Sequence, residues 1–338
     1  ALVAFATFKE GFVRHDTHSI IFFTTSAVLG LALAARGHQK WLGAVFIAVA
    51  AVAALGAQRQ SPSSFFDAVG SARSALTQLT SIATGLGRAR LVDDGRTSMS
   101  RNFAIDPKIE RQLVGRTLDI DPWDASVAWL YPQIRWRPVP AIQSYTAYTR
   151  GLDELNAALL RSPRAPELIL RRPPSSIDMR YPIFDSPDLQ LEMRCRYQPI
   201  ATRGSWQLLS RLPESRCGQA RLIQRVAQQV GSTITIPGTD EHELVFMRVR
   251  GFETLALRLM ETAFKPPDTS ITFDSSDRYR FIPAAGEGSL ILNIPAEIDI
   301  DATFRPRKHL GTLRFDRAMG AVLGEQIEVE FYAVPIYG

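Results

Sequence analysis

The chain has 338 residues, 46% of them hydrophobic, with 39 Lys plus Arg against 34 Asp plus Glu and a formal net charge of +5 at pH 7. That length suggests two or three domains rather than one. The basic excess is too mild and too dispersed to indicate a nucleic-acid partner, and an anionic lipid surface fits it as well.

The first residue is Ala, and ALVAFATF is already apolar, so the chain reads as a fragment or processed product whose beginning is missing. Residues 8–18, FKEGFVRHDTH, crowd Lys9, Arg14, His15 and Asp16 against the apolar run SIIFFTTSAVLGLALAA (19–35). A second run, WLGAVFIAVAAVAALGA (41–57), follows the polar hairpin RGHQK. Neither run carries a charge, and each approaches the length that spans a bilayer as a helix, so two transmembrane helices are expected. Arg36 and Lys40 place the hairpin in the cytoplasm by the positive-inside tendency. The chain would then sit in the inner (cytoplasmic) membrane with residues after 58 extracytoplasmic. Lys9, Arg14, His15 and Asp16 would meet the outer head-group layer, where Arg pairs bidentately with phosphate. Interfacial anchoring by snorkelling cations is the other reading of that cluster. His15 and His18 lack a third ligand nearby, and no metal is expected of them.

Residues 58–70 read as a linker, and 67–87 as a helix that Asp67 would cap. RTLDIDP (116–122) reads as a strand, WDASVAWLYP (123–132) as a short helix and WRPVPAIQSY (136–145) as extended chain. LDELNAALLRS (152–162) is an amphipathic helix and APELILRR (165–172) a strand. This alternation predicts a small α/β layer with some parallel pairing. After residue 190 the texture changes to closely spaced strand candidates: LEMRCRYQP, SWQLLSRL, STITIP, ELVFMRVR, TSITFD, RYRFIPA, SLILNIP, GTLRF and IEVEFYAVPI. They predict an antiparallel, jelly-roll-like β-sandwich, interrupted by a helix at 252–264. The expected organisation is α+β and multidomain: a membrane segment (1–58), an extracytoplasmic α/β domain (59–190) and a β-sandwich domain (191–338). Cys195 and Cys217 are the only cysteines; they form one disulfide or remain two buried thiols, and spacing alone does not decide.

No GxGxxG, P-loop, GxSxG or CxxC signature is present. The constellation that suggests chemistry is TLDIDPWDASVAW with PAIQSYTAYTRGLDELNAALL. It gathers Asp119, Trp123, Asp124, Gln143, Tyr145 and Tyr148. Carboxylates and amides beside aromatic rings suit sugars, whose hydroxyls need polar partners and whose C–H faces stack on rings. The bland alternative makes Trp123 and Tyr145 core anchors, Asp121 a helix cap and Asn156 a solvated residue.

FKEGFVRHDTH before a membrane run, with DIDPWDASVAW, WRPVPAIQSYTAYTRGLDELNA, APELIL and SIDMRYPIFDSPD, resembles the C-terminal part of bacterial polytopic membrane glycosyltransferases of the GT-C kind. The resemblance covers about residues 8–200. It implies a polyprenyl-phosphate sugar as donor, a cell-envelope polysaccharide as acceptor and membrane lipid as surroundings, with no nucleotide cofactor and no nucleic acid. The family's catalytic acid lies in an early loop that this sequence does not contain, so no catalytic residue is carried over and enzyme status is left open, leaning towards glycosyltransferase. Any divalent metal would belong to the missing N-terminal part. The alternative is a non-catalytic, membrane-anchored carbohydrate-binding or scaffold protein.

Overall fold

In the computed structural model the described residues are 68–173, 176–238, 240, 242–252, 268–274, 277–294, 311–317 and 326–337, with scattered positions between 22 and 48. Two compact units divide the chain: residues 1–93 with 256–266, and residues 94–255 with 267–338. The candidate site described below lies in the second.

Helix α1 spans Ala68–Ala83 and α2 Gly85–Phe103. The two transmembrane helices and the inner-membrane placement expected from residues 19–57 are corrected here. Among the described residues no helix is long and apolar enough to cross a membrane. With 16 residues α1 falls short of the roughly 20 a span needs, and α2, with 19, carries Arg88, Arg90, Asp93, Asp94, Arg96 and Arg101. Most of the runs 19–35 and 41–57 lies outside the described residues, as do the helix expected at 252–264, Phe252 excepted, and the cluster of Lys9, Arg14, His15 and Asp16.

The second unit opens with α3 (Pro107–Leu113), started by Asp106, whose carboxylate accepts from Lys108 N at 2.7 Å. Then come β1 (Thr117–Asp121), α4 (Val127–Leu130), β2 (Arg135–Trp136), α5 (Arg150–Arg161) and β3 (Leu168–Arg171). Helix α6 (Pro187–Arg196) leads into β4 (Tyr197–Arg203) and β5 (Trp206–Arg211). These strands form one sheet in the order β2-β1-β3-β5-β4, parallel among β1, β2 and β3 and antiparallel beyond. Side chains alternate across it. Leu118, Ile120, Leu168, Leu170, Trp206 and Leu208 pack with Ile109 and Leu113 of α3 on one face. Ile169 and Leu209 pack with Leu160 of α5 and Leu189 and Met193 of α6 on the other. The expected domain boundary at 190/191 therefore falls inside a helix that covers this sheet.

Two four-stranded antiparallel sheets follow. The first has the order β10 (Asp277–Phe281), β9 (Thr269–Phe273), β12 (Thr312–Arg317), β7 (Thr233–Thr235). The second has the order β11 (Leu290–Ile291), β8 (Glu243–Arg250), β13 (Gln326–Pro335), β6 (Arg221–Gln229). They share one core, in which Ile271, Phe273, Leu313 and Phe315 meet Met247, Val249, Val329 and Phe331. Tyr181, between β3 and α6, plugs into that core: its ring lies 4.8 Å from Phe184 and 5.2 Å from Phe273, and its hydroxyl donates to Ile294 O at 3.0 Å. Of the two alternatives for the cysteines, the structure has the disulfide: Cys195, at the end of α6, is bonded to Cys217, which bridges to Ile336.

Candidate functional site

In an open sheet with parallel strands, ligands sit beyond the carboxyl ends of the strands where neighbouring connections leave in opposite directions. The chain meets that condition between β1 and β3. From β1 the connection through α4 goes to β2 on one side, whereas the connection from β3 goes through α6 to β4 at the opposite edge. At this point the core stops being apolar. Asp121, the last residue of β1, is in register with Arg171, the last of β3, and Arg171 with Gln207 of β5. All three are buried, and Arg194 of α6 is buried as well. Arg194 donates to Gln190 O and Oε1 of its own helix at 2.7 and 2.8 Å. Burial pushes the Asp121 carboxyl up to about 6; Arg171 and Arg194 pull it down and Asp124 pushes it further up.

Three loops close over this row. The first follows β1, where the Asp121–Pro122 peptide is cis. It carries Trp123 and Asp124. Asp124 is ion-paired with Arg172, just past β3, at 2.5 Å; burial raises its carboxyl despite that partner. The second loop, 139–148, is pinned by Asn156 of α5, which accepts from Ala141 N at 2.8 Å and donates to Ala141 O at 3.2 Å. Asn156 is thus buried and engaged rather than solvated. The third loop, 176–186, holds Asp178, Met179 and Ser186 at positive φ, which non-glycine residues adopt at an energetic penalty and which clusters at functional sites. Within it Arg180 pairs with Asp185 at 2.9 Å, both buried.

The sugar-binding set expected from the sequence is only partly gathered here. The Trp123 and Tyr145 rings meet edge to face at 5.8 Å, and the Tyr145 hydroxyl donates to Gln143 Oε1 at 2.9 Å. Gln143 and Tyr148 are exposed, and Tyr148 lines a small cavity with Arg180, Phe184, Asp185, Arg280 and Phe281. Asp119 stands apart: it lies two residues before Asp121 on β1, is buried, and accepts from Val139 N at 3.3 Å. Asp121 does not cap a helix; Ser126 occupies that position before α4. Sequence reasoning missed Arg171, Arg172, Arg180 and Asp185. The available signal was a pair of arginines closing the apolar strand LILRR, because a strand buried on both faces has no other reason to end in charge.

A more open groove between α3 and β4, lined by Lys108, Gln112 and residues 199–203, offers no buried carboxylate and no aromatic ring. Among the described residues no group of three or more His, Cys, Asp or Glu is placed to hold a metal ion. No protein-family model, curated protein or solved structure matches the chain.

Proposed function

We propose that the second unit binds a carbohydrate in the crevice at the carboxyl ends of β1 and β3. The observation that carries the reading is the Trp123–Tyr145 ring pair, whose Trp123 lies on the loop that follows Asp121 and carries Asp124, at the topological switch point. Aromatic rings offer faces to sugar C–H groups while carboxylates and amides accept from hydroxyls. The partner class is a cell-envelope polysaccharide or a piece of one. Titration of the full chain with soluble oligosaccharides in a calorimeter should give saturable binding. Trp123→Ala should weaken it by about tenfold, roughly 1.4 kcal/mol, with an unchanged melting temperature. Binding indifferent to that substitution would sink the proposal.

A second reading makes the crevice the acceptor grip of a glycosyltransferase that draws on a polyprenyl-phosphate sugar. Asp121 favours it: a carboxylate at the carboxyl end of β1, pushed up by burial to about 6, is the kind of group that takes a proton from an attacking hydroxyl. Turnover of a polyprenyl-phosphate sugar by the longest natural form of the chain, lost in Asp121→Asn, supports this reading. Retained turnover leaves the protein as a binding module.

A further inference from the structure

The groove between α3 and β4 differs from the crevice in room and in charge. Its volume is about 560 Å³, inside the range of roughly 300–1,000 Å³ typical of ligand sites. One wall is a single face of α3: Lys108 and Gln112 stand one helical turn apart, and both are exposed. The other wall is the edge strand β4, whose residues 199–203 all line the groove. That stretch of strand runs roughly 15 Å, long enough for an extended ligand.

Both walls carry positive charge. Lys108 lines one and Arg203 the other, and none of the lining residues is acidic. Among the described residues neither cation forms an ion pair; Arg203 donates Nη1 to the carbonyl of Thr202 beside it, at 3.2 Å. Arg111 is exposed and follows Lys108 by three residues, so the two are neighbours on the surface of α3. The acids of this segment are engaged elsewhere: Asp106 accepts from Lys108 N, and Glu110 accepts from the Tyr131 hydroxyl.

The strand edge is poorly suited to a peptide. An extended peptide would add to β4 as a further strand, but Pro199 has no N–H to offer. The pairing with β5 also slips between Pro199 and Ala201, which leaves Ile200 bulged out and 43% exposed. Pro199 and Ile200 give the groove apolar C–H surface instead. Gln112 donates Nε2 to Lys108 O at 3.2 Å, which turns its amide oxygen to use as an acceptor for a hydroxyl.

We propose that this groove binds an acidic oligosaccharide, laid along β4 with its carboxylates on Lys108 and Arg203. The class of ligand rests on the carbohydrate reading of the second unit; the site and its charge are independent of the crevice. Arg203 has Nε and Nη2 for the two oxygens of one carboxylate, and Lys108 supplies a point charge from the opposite wall. The groove has no aromatic ring and needs none, because a polyanionic chain is held by charge rather than by stacking.

The full chain is titrated in a calorimeter with a short oligogalacturonate, and with the same oligosaccharide after its carboxylates are reduced to alcohols. The acidic form should bind saturably and more weakly as salt is added, and the reduced form should not occupy the groove. Lys108→Gln combined with Arg203→Gln should weaken the acidic form by about tenfold or more, with an unchanged melting temperature because both side chains are exposed. Trp123→Ala should leave this binding unchanged, which separates the groove from the crevice. The inference is overturned by an oligogalacturonate that does not bind, that binds the folded double variant with wild-type affinity, that is lost in Trp123→Ala, or that a polyglutamate peptide matches in affinity. Neutral sugars that still bind in a Trp123-dependent way then leave the carbohydrate reading standing. Failure of acidic and neutral sugars alike overturns both.

Discussion

Asp119 illustrates what a buried carboxylate does to this fold when it has no cation beside it. Burial, then repulsion from Asp121, raises its carboxyl to about 7, and a backbone N–H from Val139 lowers it only in part. An Asp in the unfolded chain titrates near 3.9. Between those values the folded state binds the proton and the unfolded state does not, so the contribution to stability is full at low pH and is lost as pH rises towards 7. Asp153 is raised to about 7, and Asp121 and Asp185 to about 6, all in the same direction, with burial the largest cause in each. The urea midpoint should therefore fall on going from pH 5 to pH 7. Asp119→Asn, which keeps an oxygen for Val139 N, should remove from that fall a part on the order of 2 kcal/mol. If the midpoint of the Asp119→Asn variant falls as steeply as that of the wild type, the Asp119 carboxyl titrates normally.

Helix α6 is where local sequence and tertiary context disagree most. Read alone, LEMRCRYQP alternates like a strand, yet residues 187–196 are helical. Two things outside the pattern decide it. Pro187 pre-sets the first turn, and Asp153, on α5, accepts from Asp188 N at 2.7 Å and Leu189 N at 3.1 Å, capping α6 from across the interface. No reading of residues 190–199 could have found a cap 35 positions away. Asp153→Ala should cost about 1–2 kcal/mol of stability, measured by urea unfolding at pH 8, where the wild-type carboxylate is ionised. A loss below a few tenths would mean the cap is idle. Elsewhere the elements were legible for physical reasons: β1, β3 and α5 lie within a few residues of their expected positions because their apolar spacing is unambiguous. Strand β6, RLIQRVAQQ, was not, because it is a mostly exposed edge strand, and an edge needs no apolar face to pair with β13. Of the site, Trp123, Asp124, Gln143, Tyr145 and Tyr148 were visible as a cluster of chemistry. Arg180 and Asp185 were not, because they join it only through the loop 176–186.

At the scale of the whole second unit, the question is what ties the α/β layer to the paired sheets. Tyr181 does so by packing, and Arg280 N donates to Met179 O at 2.8 Å. The Cys195–Cys217 disulfide does so covalently, from the last turn of α6 to the segment that bridges Ile336 at the end of β13. It closes a separation of 22 residues, for which the chain-entropy argument gives roughly 3 kcal/mol. Reduction with a phosphine should lower the unfolding free energy by about that amount, and Cys195→Ala with Cys217→Ala should match the reduced wild type. The disulfide also follows directly on Arg194, whose backbone carbonyl accepts from Arg216 Nε at 2.7 Å, so the crosslink stands next to the floor of the crevice. Loosening it should weaken sugar binding as well as stability. A reduced protein that melts earlier yet binds its sugar with unchanged affinity would place the disulfide's role in stability alone.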